Sequence, residues 1–223
     1  MLIYQSVNRA VLDMVPMHAR RTLDVGCGGG AFGAALKQRN GHAKTFVVGL
    51  TYSEAEAELA RGQMDEVHVV DLNDLSVDRS GLAGYDCIVC SHVLEHLLDP
   101  VQVLLSLQRC LTPGGVLVVA LPNVLFWRQR LQFLKGRFRY TEGGLMDHTH
   151  LRFFDWDSAH DLLSQAGLRT IQSVADGGMP GSRHLGPALS RRLDSAALAR
   201  YPGLFGAQFV FSACPATTSQ AYS

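Results

Sequence analysis

Five glycines fall within the eleven residues Leu23-Asp-Val-Gly-Cys-Gly-Gly-Gly-Ala-Phe-Gly33, directly after an apolar run and directly before a stretch with helical character. A backbone without Cβ atoms at a helix N-terminus lets a ligand approach closely and offers it N–H groups. That chemistry suits a nucleotide-like cofactor. Gly26-x-Gly28-x-x-Ala31 also satisfies the dinucleotide fingerprint of nicotinamide-dependent dehydrogenases, so the loop alone does not choose between cofactors. A second group of reactive residues lies far along the chain, in Met146-Asp-His-Thr-His-Leu-Arg-Phe-Phe154. His148 and His150, with Asp147 beside them, titrate near neutrality and can take up or release a proton, and His92 follows another apolar run. Two histidines two apart plus one carboxylate are too little to argue a metal site from sequence, and none is expected.

These residues need a scaffold that gathers them. Short apolar runs alternate with helix-like stretches, the pattern of a parallel sheet covered by helices on both faces. Strands are predicted over 22–25, 45–50, 67–70, 85–90 and 115–121, with two more over 168–174 and 206–213. Asn40-Gly41 closes the first helix, Ser53 and Glu56 form a capping box for the second, and Asp99-Pro100 opens another at N-cap and N1. Thr112-Pro-Gly-Gly115 reads as a tight turn into the fifth strand, and Asp155 caps a helix running to Ala166. Residues 122–153, rich in aromatics and arginines, read as an insertion over one end of the sheet. Residues 177–205 read as a long excursion with one helix, Pro187 to Arg200. One domain over residues 1–223 carrying these two insertions fits the length. The last residues, 217–223, are expected to fray.

Lys and Arg number 20 against 20 Asp and Glu, so no global field draws the chain to nucleic acid or acidic membranes. Apolar residues make up 47% and charged residues 18%, the balance of a packed enzyme rather than a disordered chain. No apolar run approaches bilayer length, and Gln5, Asn8, Arg9 and Asp13 interrupt the first segment, so neither signal peptide nor anchor is expected. Five cysteines, odd in number and mostly within apolar segments, indicate reduced thiols and a cytoplasmic location. Cys87 and Cys90 have the spacing of a redox or zinc pair, yet a buried strand with no second pair makes them core residues. Trp127, Leu131, Leu134 and Phe138 recur at helical spacing among Arg128, Arg130, Lys135, Arg137 and Arg139. A lid packed on its own core with a solvated basic face is favoured over peripheral membrane contact through 124–139 or a clamp on a phosphorylated substrate.

Three features decide what the glycine loop serves. Asp24 stands one residue before the end of the first strand. Tyr85-Asp-Cys-Ile-Val-Cys-Ser-His-Val-Leu-Glu-His-Leu-Leu-Asp-Pro100 supplies a fourth strand and then a helix, and Leu111-Thr-Pro-Gly-Gly-Val-Leu-Val-Val-Ala-Leu-Pro-Asn123 supplies a fifth. In this order and at this spacing they resemble the class I S-adenosylmethionine-dependent methyltransferases, over about Val11 to Leu168. The resemblance implies an α/β, Rossmann-like fold: a mostly parallel seven-stranded sheet with an antiparallel last strand and helices on both faces. It also implies an enzyme that binds S-adenosyl-L-methionine and releases S-adenosyl-L-homocysteine. The segment from Pro122 to Leu168 is similar to a bacterial branch of small methyltransferases found among genes for cell-surface polysaccharide or secondary-metabolite synthesis. That branch points to a small-molecule acceptor, a hydroxyl oxygen of a sugar or secondary metabolite, with N-methylation or a degenerate cofactor-binding module as alternatives.

Residue by residue, the resemblance places Gly26, Cys27, Gly28 and Gly30 against the methionine part of the cofactor, with Asp24 organising the loop and facing the cofactor's ammonium. The family carries an acidic residue for the ribose hydroxyls at the end of the second strand. Here Thr51 stands there, without charge, and Tyr52 or Glu54 is expected to compensate. Asp71 and the backbone of Leu72 fall at the adenine, and Ser91 and His92 at the sheet's carboxyl edge border the transferring methyl. Glu95 and His96 read as structural or pocket-lining. A hydroxyl acceptor needs a base, for which His92, His148 and His150 are the candidates. The partners implied are the small-molecule substrate and no nucleic acid, with the chain a monomer or homodimer.

Overall fold

The computed structural model describes residues 6–41, 44–74 and 81–216. Seven strands, β1 (Arg21–Val25), β2 (Phe46–Thr51), β3 (Glu66–Val69), β4 (Tyr85–Ser91), β5 (Leu111–Pro122), β6 (Leu168–Gly177) and β7 (Gly206–Pro215), form one sheet in the order β3-β2-β1-β4-β5-β7-β6. Neighbours from β3 to β5 are parallel, and β7 lies antiparallel between β5 and β6. Strand order reverses at β1, so the ends of β1 and β4 open into the crevice where sheets of this kind bind ligands.

The central strands are apolar nearly throughout because both their faces are covered. On one face Leu23, Ile88 and Leu117 pack under α4 (Pro100–Gln108) and α6 (Trp156–Gln165), and on the other Val47, Val89 and Val118 pack under α1 (Arg9–Met14) and α2 (Ala31–Asn40). Cys87 and Cys90, three apart along a strand, fall in opposite clusters, so their thiols cannot share a metal. Burial pushes the Cys87 thiol up to about 12 and the Cys90 thiol higher still.

Local signals close these elements as the sequence predicts. Gly41, at φ 90°, ends α2, and Asp99 caps α4 through the Gln102 N–H with Pro100 at its first turn. Asp155 and Ser158 form a reciprocal capping box at α6. The predicted turn at 112–115 lies inside β5, which starts at Leu111. Tyr85 pairs with Leu111 and Cys87 with Val116, so residues 112–115 stand opposite Asp86 alone, and Gly114 at φ 83° lets the chain turn there.

The excursion after β6 carries α7 (Pro187–Arg200), as expected, and a short α8 (Pro202–Phe205). The basic amphipathic segment departs from expectation. Its helix α5 (Trp127–Leu134) buries no residue, and Leu134 is 83% exposed. The stripe does not pack on the core because Gly136, at φ 67°, turns the chain back on itself. Phe138 then stacks on Phe133, with Tyr140 and Phe153 against its edges. Trp127 anchors the segment by donating from Nε1 to the Gly178 carbonyl. The expected fraying at 217–223 lies outside the described residues. Among the described residues, no helix is long and apolar enough to cross a membrane.

Candidate functional site

After β1 the chain turns through Gly26, Gly28 and Gly30 at φ 74°, 51° and 86°, conformations that L side chains resist. The Gly26 and Cys27 N–H groups both donate to the Leu50 carbonyl at 2.9 Å, fastening the loop to the end of β2. A Cβ on Gly26 would stand 3.0 Å from Val93 Cγ2, and one on Gly30 3.0 Å from the Ala60 Cα. Behind the loop Asp24 is 3% exposed, and its Oδ2 has no hydrogen-bond partner. Burial pushes its carboxyl up to about 7. An orphaned buried carboxylate is costly until a cation or donor meets it.

At the end of β2 the structure supplies the charge that Thr51 lacks, from neither residue expected to provide it. Tyr52 is 67% exposed, and Glu54 pairs with Arg61 at 2.7 Å on the surface. The carboxylate beside Thr51 is that of Glu56, whose Oε2 accepts the Thr51 hydroxyl at 2.5 Å. Ser53 caps α3 (Glu54–Ala60) through the Glu56 N–H, so Glu56 occupies the position whose side chain reaches back over the helix start. Only the serine half of the predicted capping box forms, because the Glu56 carboxylate turns to Thr51 instead of the Ser53 N–H. After β3, the exposed Asp71 accepts the Asn73 N–H at 2.9 Å and caps the turn in which Leu72 is buried.

At the end of β4, Ser91 is followed by His92 at φ 55°, the one non-glycine residue with positive φ among those described. Its Nδ1 lies 3.3 Å from Glu95 Oε1 and its Nε2 2.8 Å from Gln208 Oε1 on β7. Gln208 donates from Nε2 to Asp176, which turns its carbonyl oxygen toward His92. Both partners are acceptors, so both ring nitrogens carry hydrogen. Burial works to lower the His92 pKa, but the bonds to Glu95 and Gln208 outweigh it and the net shift is upward.

Glu95 is fully buried; its Oε1 faces the imidazoles of His92 and His150, and its Oε2 has no hydrogen-bond partner. His150 reaches it from the segment after α5: its side chain is 6% exposed, with Nε2 4.0 Å from Glu95 Oε1. Burial lowers the His150 pKa, against the pull of the Glu95 carboxylate, and so favours the neutral ring. His96 meets His150 edge to face, with ring centroids 4.8 Å apart. The Leu151 and Arg152 N–H groups both donate to the Glu95 backbone carbonyl, which is what carries His150 in. His148 is 63% exposed, with Nδ1 on the Thr141 carbonyl at 3.4 Å. The structure therefore brings His92 and His150 together around Glu95 and leaves His148 facing solvent.

Asp147 shapes the segment that delivers His150. It accepts the N–H groups of Gly143 and Thr149 and the Thr149 hydroxyl, and against the cost of burial these bonds hold its carboxyl down at about 2. Asp147→Ala is expected to cost about 1–2 kcal/mol, since it removes the acceptor of two partly buried N–H groups and the Thr149 hydroxyl. Thermal melts should show a loss of several degrees, with hydrogen exchange speeding up first over 141–151.

Sequence reasoning missed Glu56, Gln208 and the part played by Glu95 and His96. The Ser-x-x-Glu spacing signals Glu56 and the His-x-x-Glu spacing signals the His92–Glu95 pair, but no local signal marks Gln208.

Comparison with known proteins gives the arrangement a context. The family model described as "Methyltransferase domain" matches residues 5–173. A ubiquinone biosynthesis O-methyltransferase of Marinobacter nauticus is 30% identical over 117 residues, 50% of this chain and 48% of that protein. The protein of the same name from Aromatoleum aromaticum is 24% identical over 176 residues, 74% and 73% of the two chains. The chain spans about half the length of the first curated relatives it matches. Among solved structures, a SAM dependent methyltransferase from Archaeoglobus fulgidus superposes with a TM-score of 0.63 at 18% identity, covering 92% of this chain and 91% of that one. A second, from Mesorhizobium loti, gives 0.59 at 18% identity, covering 92% and 95%. At these identities the structural likeness concerns the fold alone.

Proposed function

Because the chain belongs to the S-adenosylmethionine-dependent methyltransferase family, we propose that it transfers a methyl group to a hydroxyl oxygen of a small molecule at the carboxyl edge of β1 and β4. S-adenosylmethionine, when bound, supplies an electrophilic methyl on a sulfonium. The chain has groups that fit it. The orphaned Asp24 carboxylate would take the ammonium, and the cradle of Gly26, Cys27, Gly28 and Gly30 would admit the methionine part, where a Cβ on Gly26 or Gly30 would crowd Val93 or Ala60. Thr51 with Glu56 would hold the ribose hydroxyls, with Tyr52 alongside. Asp71 and Leu72 would border the adenine, and Ser91 and His92 the reactive end.

The observation that carries the hydroxyl assignment is the cluster of imidazoles around the buried Glu95 carboxylate, next to the cofactor cradle. A hydroxyl must lose a proton as it is methylated, and a neutral imidazole beside a carboxylate accepts one. His150 is that imidazole. Both nitrogens of His92 are engaged, and it serves as the charged partner of Glu95. His148, on the solvent side, is the third candidate and the least well placed. The segments 122–153 and 177–205, joined by the Trp127–Gly178 hydrogen bond, wall the acceptor space of a single-domain cytoplasmic enzyme, monomer or homodimer.

Calorimetric titration with S-adenosylmethionine and S-adenosylhomocysteine, with NADH as control, tests the cofactor assignments. Incubation with methyl-labelled cofactor and a panel of hydroxylated acceptors tests the rest: sugars, secondary metabolites and, because relatives are named for ubiquinone biosynthesis, hydroxylated ubiquinone intermediates. A labelled O-methyl product is expected. Labelling confined to nitrogen acceptors would overturn the hydroxyl reading.

Glu56→Ala is expected to weaken S-adenosylhomocysteine binding about 10- to 100-fold, the worth of hydrogen bonds to a charged group. Unchanged affinity on titration would return the ribose to Thr51 alone.

A further inference from the structure

Glu95, His96 and His150 form a group that proton transfer alone does not explain. A fully buried carboxylate needs opposite charge and hydrogen bonds around both oxygens. Here His92 approaches Oε1 at 3.3 Å, and Oε2 has no hydrogen-bond partner. One donor atom from each of Glu95, His96 and His150 lies within 4.8 Å of the other two. Ligand atoms around a tetrahedral ion with bonds of about 2.1 Å stand about 3.4 Å apart, so a small side-chain movement would close the set.

The surroundings of His96 are those of a metal ligand. Its Nδ1 sits 3.2 Å from the Thr149 carbonyl, which can only accept, so Nδ1 carries the hydrogen and Nε2 keeps its lone pair. The Thr149 hydroxyl lies 3.1 Å from the same nitrogen while donating to Asp147 Oδ1 at 2.7 Å. A carboxylate thus stands behind the group that orients the imidazole, the outer support typical of metal-bound histidine.

We propose that Glu95, His96 and His150 bind a divalent transition-metal cation, Zn2+ or Mn2+, and leave coordination positions open toward the acceptor. Two imidazoles and one carboxylate suit these borderline cations better than Mg2+ or Ca2+. Three protein ligands are the complement of a catalytic site, which keeps room for a further oxygen. A loaded cation would occupy the His150 lone pair and take over from His150 as base: it would bind the acceptor hydroxyl and lower its pKa so that the proton leaves to water, and this part rests on the methyl-transfer reading. Binding of the ion itself does not.

The test uses the whole chain, stripped with chelator and titrated with ZnCl2 or MnCl2 alone, followed by calorimetry and elemental analysis. One ion per chain at micromolar affinity is expected. Titration with Co2+ should give visible absorption bands that report the ligand set. His96→Ala and His150→Ala should each weaken the ion at least tenfold and alter the Co2+ bands, with S-adenosylhomocysteine affinity within twofold of the parent. The half-exposed His96 decides the matter if His150→Ala does not fold. A protein that binds S-adenosylhomocysteine but takes up no ion at millimolar concentration would overturn the metal site only. Stoichiometric binding undiminished in both variants would overturn it equally. Ion uptake without cofactor binding would overturn the cofactor assignments and leave the metal site standing.

Discussion

Asp24→Asn is expected to weaken S-adenosylmethionine binding roughly 100-fold at alkaline pH, the loss of hydrogen bonds to a charged group, and at the same time to raise the melting temperature of the cofactor-free protein. Burial lifts the Asp24 carboxyl from its ordinary 3.8 to about 7. Between these values the unfolded chain has released the proton and the folded chain still holds it. Asp24 therefore makes the free protein less stable as pH rises from about 4 to about 7, and above that the whole penalty is present. Asn has no proton to lose and escapes the penalty. Binding runs the opposite way, because the cofactor's ammonium pairs with the ionised carboxylate. Affinity of the parent should rise about tenfold per pH unit up to about 7, whereas the variant should show no such rise over the same range. Calorimetry from about pH 6 to about pH 8.5, with melting curves at the same points, checks both halves. Equal affinities above neutrality would take Asp24 out of the cofactor site.

Glu95→Gln is expected to lower turnover about 100-fold or more, the range for loss of positioned acid–base groups, while S-adenosylhomocysteine affinity stays within about twofold. Gln preserves the shape and the backbone carbonyl that receives Leu151 and Arg152. It removes the charge that holds the imidazole of His92 and faces that of His150. Single-turnover transfer to an acceptor found in the panel, beside calorimetry, separates the two effects. Unchanged turnover would leave Glu95 a residue of folding alone.

What the sequence discloses here divides along the line between local and distant causes. The β1 loop is legible because the need for glycine at positive φ, and the apolar strand before it, are written within a few residues. The α6 cap is legible for the same reason. The start of β5 is legible only in part: Thr112-Pro-Gly-Gly115 reads as a turn, but nothing local tells that Leu111 before it already pairs with β4. Ser53 and Glu56 announce a helix start, but the direction of the Glu56 carboxylate depends on the Thr51 hydroxyl beneath it. Glu95 and His96 read as structural because the residue that gives them chemical meaning, His150, arrives through hydrogen bonds from a distant segment. Periodicity in 127–138 tells which residues share a face and not what covers it.

Among the described residues β6 has one sheet neighbour, β7, which is made after it and enters the sheet between β6 and β5. As the chain leaves the ribosome, the parallel strands β1 to β5 can assemble while β6 waits without a sheet partner. The outer antiparallel pair then docks late, as a long-range pairing must. Gln208, which holds His92, arrives only with that step. A nascent chain can thus own a formed glycine cradle before it owns an oriented His92, and the completed site comes with the last strand to join the sheet.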